Sequence, residues 1–216
     1  MKKEIIRRSP VAFNMRPVKE ERRGHWVVVL EYENEGDGPH LVDLSHCMRW
    51  DLQDSDPNGD RGKWKPLGIP VPEQPGGCII KNGVMINRMN NTQAAIWHLS
   101  GEEAEIPPET AYTDVTDATA FLALIGEKTF AIAEKLTALD LSDPAGTPPF
   151  LIQGPFVHVP CQIVVMANGA EQPGILLTCS RGYAHNMVAA ILEAGKVFNL
   201  RPAGESAFKR WLEQLK

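Results

Sequence analysis

The stretch Gly174 to Leu200, G-I-L-L-T-C-S-R-G-Y-A-H-N-M-V-A-A-I-L-E-A-G-K-V-F-N-L, decides the fold class. Ile175, Leu176 and Leu177 form a short apolar run that reads as a buried strand. Tyr183, Met187, Ala190, Ile191, Ala194, Val197 and Phe198 then recur at helical spacing, the pattern of a helix packed on a sheet. Between strand and helix lies one dense polar turn. In it Ser180 is positioned to cap the helix, and Thr178, Ser180 and Arg181 are the candidate residues for holding an anion against the first-turn amides. The plainer reading of the same turn is a capped helix beside a solvated arginine.

Upstream of this unit, Ala118 to Ile125 reads as a strand. Glu127 to Leu139 reads as a helix, with Phe130, Ala133, Leu136 and Leu139 on neighbouring faces. Phe150 to Val157 and Gln162 to Ala167 are further strands, so the order β, α, β, β, β, α resembles a ferredoxin-like unit spanning 109–200. The first half, 25–99, reads as mostly β. His25 to Tyr32 is a β-branched and aromatic strand expected to form a hairpin with Leu41 to Leu52. Asn82-Gly83 suits a tight turn, and Gln93 to Leu99 closes the half as a strand. Between them, 53–77 reads as a long surface loop. The last segment, 201–216, carries Phe208, Trp211, Leu212 and Leu215 on one face of a short C-terminal helix. The expected class is α+β, mostly antiparallel, in one compact unit.

Charge is uneven. The segment 1–24 holds eight Lys or Arg against three Glu, a balance of +5 within a chain of net −5. It reads as a basic N-terminal arm, flexible or docking on an acidic partner. It has no interleaved aromatics and no nucleic-acid motif, so no nucleic acid is expected. No apolar run reaches membrane-span length, which excludes a membrane-spanning helix, and the absence of an apolar leader makes the cytoplasm the expected location.

Three stretches together resemble the sarcosine oxidase gamma subunit family. They are the L-L-T-C-S-R-G-Y-A turn with its apolar helix, the proline-punctuated Pro66 to Leu99 segment, and Asp114 to Leu141 with its D-V-T-D-A opening and L-D-L close. Val42-Asp43-Leu44-Ser45-His46 resembles the D-x-S-H strand opening of the wider superfamily. The resemblance implies the folate-binding fold of the glycine-cleavage T-protein, or aminomethyltransferase. It implies a chain that accompanies flavin- and NAD-bearing subunits in one-carbon metabolism, with a larger subunit of a flavoenzyme-like complex, or self-association, as its partner.

Independent chemistry has little support in the residues. G-x-S-x-G, a P-loop and G-x-G-x-x-G are all absent. Cys47, Cys78, Cys161 and Cys179 are scattered and read as buried small hydrophobes. His46 and Cys47, as strand neighbours, are expected on opposite faces and so unable to share a metal. Asp54 to Asp60, D-S-D-P-N-G-D, lacks the distant Glu of a calcium loop. No catalytic residue, metal or tightly bound cofactor is expected. Tetrahydrofolate is the one ligand the resemblance leaves open, with Thr178, Ser180 and Arg181 as its candidate contacts. The signatures of the T-protein's N-A-x-N-like turn, its C-terminal barrel and the K-G-C-x-x-G-Q-E motif of iron-sulfur assembly relatives are missing, which points to a non-catalytic subunit. A free-standing tetrahydrofolate-binding protein or aminomethyltransferase-like component is the alternative.

Overall fold

The computed structural model describes residues 6–54, 65–102, 104–143, 146–169 and 172–215. Its centre is a six-stranded sheet in the order β10-β11-β12-β9-β3-β13. These strands are β3 (His40–Asp43), β9 (Thr119–Ile125), β10 (Phe150–Phe156), β11 (Val159–Ala167), β12 (Gly174–Ser180) and β13 (Arg201–Ala203). All pairings are antiparallel except β13 on β3. A five-stranded sheet, β5 (Cys78–Lys81), β6 (Val84–Arg88), β7 (Gln93–His98), β4 (Arg49–Gln53) and β8 (Tyr112–Asp114), packs against it.

Alternation along β9 shows why its sequence is apolar without interruption. Ala120, Leu122 and Leu124 face a core shared with helices α1 (Thr129–Ala133) and α2 (Ala184–Gly195). Phe121, Ala123 and Ile125 face the opposite core, shared with Met85 and Trp97 of the second sheet and with Phe208 and Trp211 of helix α3 (Glu205–Gln214). A strand covered on both faces has no polar alternation to display. The second half thus keeps a ferredoxin-like layering, antiparallel strands backed by two helices on one side. The outer face of the five-stranded sheet carries a third core of Trp50, Leu52, Ile86 and Ile96, covered by Ile69 and Val71.

Several local expectations are corrected. β2 (Trp26–Tyr32) forms no hairpin with 41–52. It pairs with β1 (Pro17–Arg23) inside the basic segment read as an arm. Residues 41–52 are not one strand either. β3 lies in the six-stranded sheet, β4 in the five-stranded one, and a turn at 44–48 carries the chain between them. The helix expected over 127–139 is confined to Thr129–Ala133, followed by tighter turns to Thr137. The Thr137 hydroxyl donates to the Pro155 carbonyl and accepts the Leu139 amide, which diverts the backbone from helical bonding. In α2 the buried face is Ala184, Met187, Val188, Ile191 and Gly195, so Tyr183 and Val197, expected on it, are exposed.

Other expectations hold. Asn82 and Gly83, with φ of 53° and 74°, make the two-residue turn between β5 and β6. The C-terminal helix buries Ala207, Phe208 and Trp211, with Leu212 and Leu215 packed beside them. Within the 53–77 loop, 55–64 lie outside the described residues, and with them all of the D-S-D-P-N-G-D string but Asp54, while Pro66–Gly68 forms a single tight helical turn.

Entry into α3 depends on close backbone contact. A Cβ on Gly204 would sit 2.2 Å from the Leu30 backbone, and the Gly204 amide donates to Glu35 Oε1 at 2.8 Å, which also accepts the Tyr32 amide at 2.7 Å. No flexible side chain is there to give way. Gly204→Ala is therefore expected to destabilise the fold by about 2 kcal/mol or more, the scale of core overpacking. A urea midpoint equal to wild type would contradict this packing.

Candidate functional site

The turn after β3 builds the main polar centre of the molecule. Asp43 Oδ1 accepts the Ser45 amide at 2.9 Å, and Ser45 Oγ accepts the Phe121 amide at 3.1 Å. These bonds break the extended run at Leu44 and turn His46 and Cys47 inward together. Cys47 Sγ lies 3.6 Å from His46 Nε2, which corrects the expectation that the two side chains diverge on a strand. The same nitrogen donates to Glu205 Oε1 at 3.0 Å.

Glu205, at the start of α3, is 1% exposed and is surrounded by donors. Arg23, at the end of β1, grips it with two bonds of 2.6 Å, from Nη1 to Oε1 and from Nη2 to Oε2. Lys209, one helical turn further on, lies 3.1 Å from Oε2. Burial raises the Glu205 carboxyl, but the bonds from His46 and Arg23 outweigh it and hold the group well below the usual carboxylate range. Burial likewise opposes the His46 charge, yet the Cys47 sulfur and the Glu205 carboxylate prevail and push it up to about 10. Gly101 closes the top, since a Cβ there would stand 2.7 Å from both Arg23 Nη1 and Glu205 Oε1.

This geometry limits the chemistry. His46 meets both Cys47 and Glu205 through Nε2, whereas a nucleophile-base-orienter relay needs the two ring nitrogens to face different partners. Cys47 is fully buried as well. His46, Cys47 and Glu205 offer donor atoms within 4.8 Å of one another, the spacing of a metal centre. A divalent ion there would have to displace the bidentate Arg23 and sit beside Lys209, so the donor set fits a structural ion cluster and not a metal.

On the far side of the same turn, Arg49 is 1% exposed. Its guanidinium donates to the carbonyls of Ser45, Cys47, Thr116 and Thr119, with Nη2 to Thr116 O at 2.6 Å, and Nε donates to Thr119 Oγ1 at 3.0 Å. Burial lowers this arginine to about 10, which leaves it charged at neutral pH.

The residues singled out from the sequence lie elsewhere. Thr178 is buried in β12, and Ser180 ends that strand in the open. No side chain caps the single turn Arg181–Tyr183 or the helix after it, so Ser180 does not serve as the expected cap. Arg181 Nη2 donates to the Arg8 carbonyl at 3.0 Å, and Nη1 lies 3.9 Å from Asp117, which also pairs with Arg7 at 3.2 Å. Arg181 therefore fixes a strap of N-terminal chain, 7–11, against the six-stranded sheet. Glu205, Arg23 and Lys209 escaped the sequence reading because each sits in a stretch of ordinary surface charge. The D-L-S-H string did mark the turn that gathers them.

The sequence matches no protein-family model and no curated protein. Solved structures do resemble the fold. A chain of the heterotetrameric sarcosine oxidase from Corynebacterium sp. U-96, in complex with pyrrole 2-carboxylate, superposes with a TM-score of 0.56 at 15% identity, covering 73% of this chain and 84% of that one. The glycine cleavage system aminomethyltransferase T from Bartonella henselae gives 0.58 at 12% identity, covering 88% of this chain and 57% of that one. The chain thus shares the α+β fold of these two structures, and its match spans little more than half of the aminomethyltransferase. Among the described residues no helix is long and apolar enough to cross a membrane.

Two outcomes follow from the ion cluster and the strap. Glu205→Gln leaves Arg23 and His46 facing a neutral amide and is expected to cost about 3 kcal/mol, the scale of breaking a buried pair. The depressed Glu205 contributes stability that is present above its ordinary value of 4.5 and lost as pH falls below it. The raised His46 contributes stability present below 6.5 and lost as pH climbs towards about 10. The difference in urea midpoint between wild type and Glu205→Gln should therefore be widest between those two values; a pH-independent difference would refute the assignment. Arg181→Ala is expected to release the strap, read as faster amide exchange at 7–11 with the sheet unchanged.

Proposed function

We propose that this chain is a non-catalytic, sarcosine oxidase gamma-like subunit that packs on a larger flavin- or folate-dependent partner in one-carbon metabolism. The observation that carries the reading is the ion cluster itself. The most densely titratable centre among the described residues has its carboxylate saturated by three cations and its imidazole turned to both neighbours through one nitrogen. Such a centre holds elements together and has no free acid or base to offer a substrate. The structural match to one chain of a heterotetrameric oxidase supports the same reading.

A free-standing tetrahydrofolate-binding protein is the second reading. It is favoured by the match of 88% of this chain to the aminomethyltransferase. On this reading Thr178, Ser180 and Arg181 stay candidate contacts only if the strap leaves Arg181.

Affinity purification of the tagged chain from its own host separates the two. A stoichiometric flavin absorption band in the purified material is the outcome expected of a subunit. Calorimetric titration of tetrahydrofolate into the isolated chain should then give no heat with wild type or Arg181→Ala. A chain that purifies alone and binds tetrahydrofolate stoichiometrically would overturn the subunit reading in favour of the second.

A further inference from the structure

His46 has a second environment besides the ion cluster. It forms part of the lining of a cavity of about 450 Å3, a volume within the range of small-molecule sites. The cavity lies between the N-terminal strap, from Arg8 to Ala12, and the strand β2. Its apolar walls are Val11, Trp26, Val28 and Ala203, all of them buried. The strap is secured from outside the cavity: the Arg7 amide donates to the His25 carbonyl at 2.6 Å, and Arg181 holds the Arg8 carbonyl. The wall therefore stands without a ligand to organise it.

The charges around this space are unequal in effect. Arg8 and Glu20 are exposed, so water and salt screen them. Asp43 is half-buried and has Oδ1 engaged by the Ser45 amide, while the Tyr32 phenol stays neutral because burial and the nearby acids hold its proton. His46 alone among the ionisable lining residues is more than nine-tenths buried, its side chain 6% exposed. Its charge is maintained from behind. Behind it the Glu205 carboxylate lies 3.0 Å from Nε2. With Nε2 engaged by Glu205, Nδ1 is the nitrogen left to donate.

We propose that this cavity binds a small organic carboxylate with an apolar body, the carboxylate taken by the Nδ1–H of His46 and the body packed against Trp26, Val11 and Val28. A buried imidazolium beside apolar walls gives an anion a charge-assisted bond that water does not screen, and Trp26 offers a flat surface for a ring. A neutral amide of the same shape loses the charge, and an amine meets one of the wrong sign. The inference is independent of the subunit reading, since neither a partner chain nor folate enters it.

Three probes of one shape test it on the full chain: benzoate, benzamide and benzylamine, followed through the indole N–H resonance of Trp26, which Trp26→Phe assigns. Saturable shifts with benzoate are expected, with benzamide about tenfold or more weaker, as for loss of a charged hydrogen bond. His46→Gln, which keeps an amide donor without the charge, should weaken benzoate by a similar factor and leave benzamide where it was. Val28→Phe, which fills the cavity and leaves His46 in place, should abolish binding of every probe. That variant keeps the test decisive if His46→Gln does not fold. Benzamide or benzylamine binding as tightly as benzoate overturns the proposal. So does benzoate binding that neither substitution alters, or the absence of a saturable shift.

Discussion

One buried carboxylate ties the hairpin and the inter-sheet turn of the first half of the chain to its last helix through charge. Placing Glu205 in the interior is costly unless the charge is matched closely, and the matching groups come from three separate elements. Arg23 ends β1, His46 sits in the turn between sheets, and Lys209 lies one turn along α3. Removing any of these partners leaves the rest of the charge in a poor dielectric. The hairpin, the turn and the helix are for that reason coupled in stability. Gly101 has a related role: only a residue without Cβ lets the backbone pass over the ion pair.

The turn itself is held from its other side by a different solution to the same problem. Arg49 is buried without a carboxylate partner and satisfies its donors on backbone carbonyls and one hydroxyl. Four carbonyl dipoles stabilise the cation less than a carboxylate would, which is why burial still lowers it. What they supply is geometry. The guanidinium ties the 45–47 carbonyls to those at 116 and 119, so the chain leaves the six-stranded sheet and enters the five-stranded one at a fixed angle, with Phe121 beneath the cation. A strand that passes between two packed sheets has unpaired carbonyls at the crossing, and a buried arginine supplies donors to them.

The legible parts of the sequence were those whose residues report their own surroundings. β7, β9 and β12 are covered on both faces and read as unbroken apolar runs, while α3 carries a clean apolar stripe. β1 is the opposite case: P-V-K-E-E-R-R has every residue but its last exposed, so its strand state follows from pairing with β2 and leaves no apolar mark. The mistaken hairpin has the same origin. β2 has the composition of a strand that wants a partner, and nothing local says whether the partner precedes or follows it. Glu205, in the first turn of a helix, is where an acid is expected for the helix dipole alone, and only the fold reveals that it is buried. His46 and Cys47 were read as strand neighbours because Asp43 and Ser45, which break the strand by accepting backbone amides, are also tolerated within strands.

These constraints bear on how a fold shared with unlike proteins keeps its shape while its chemistry changes. Both faces of the central sheet are sealed by helices on one side and by the second sheet on the other, so substitutions there are tested by packing and seldom by ligand. The freedom lies at the rim, where the strap, the hairpin and the inter-sheet turn meet around His46. At that rim one imidazolium meets an internal carboxylate through Nε2 and also lines a cavity. A catalytic histidine must change protonation state during turnover, whereas this one is kept charged by the pair that holds the fold together. The same electrostatics that make it unsuited to act as a base make it a stable positive charge, and the chemistry left to such a site is recognition of an anion.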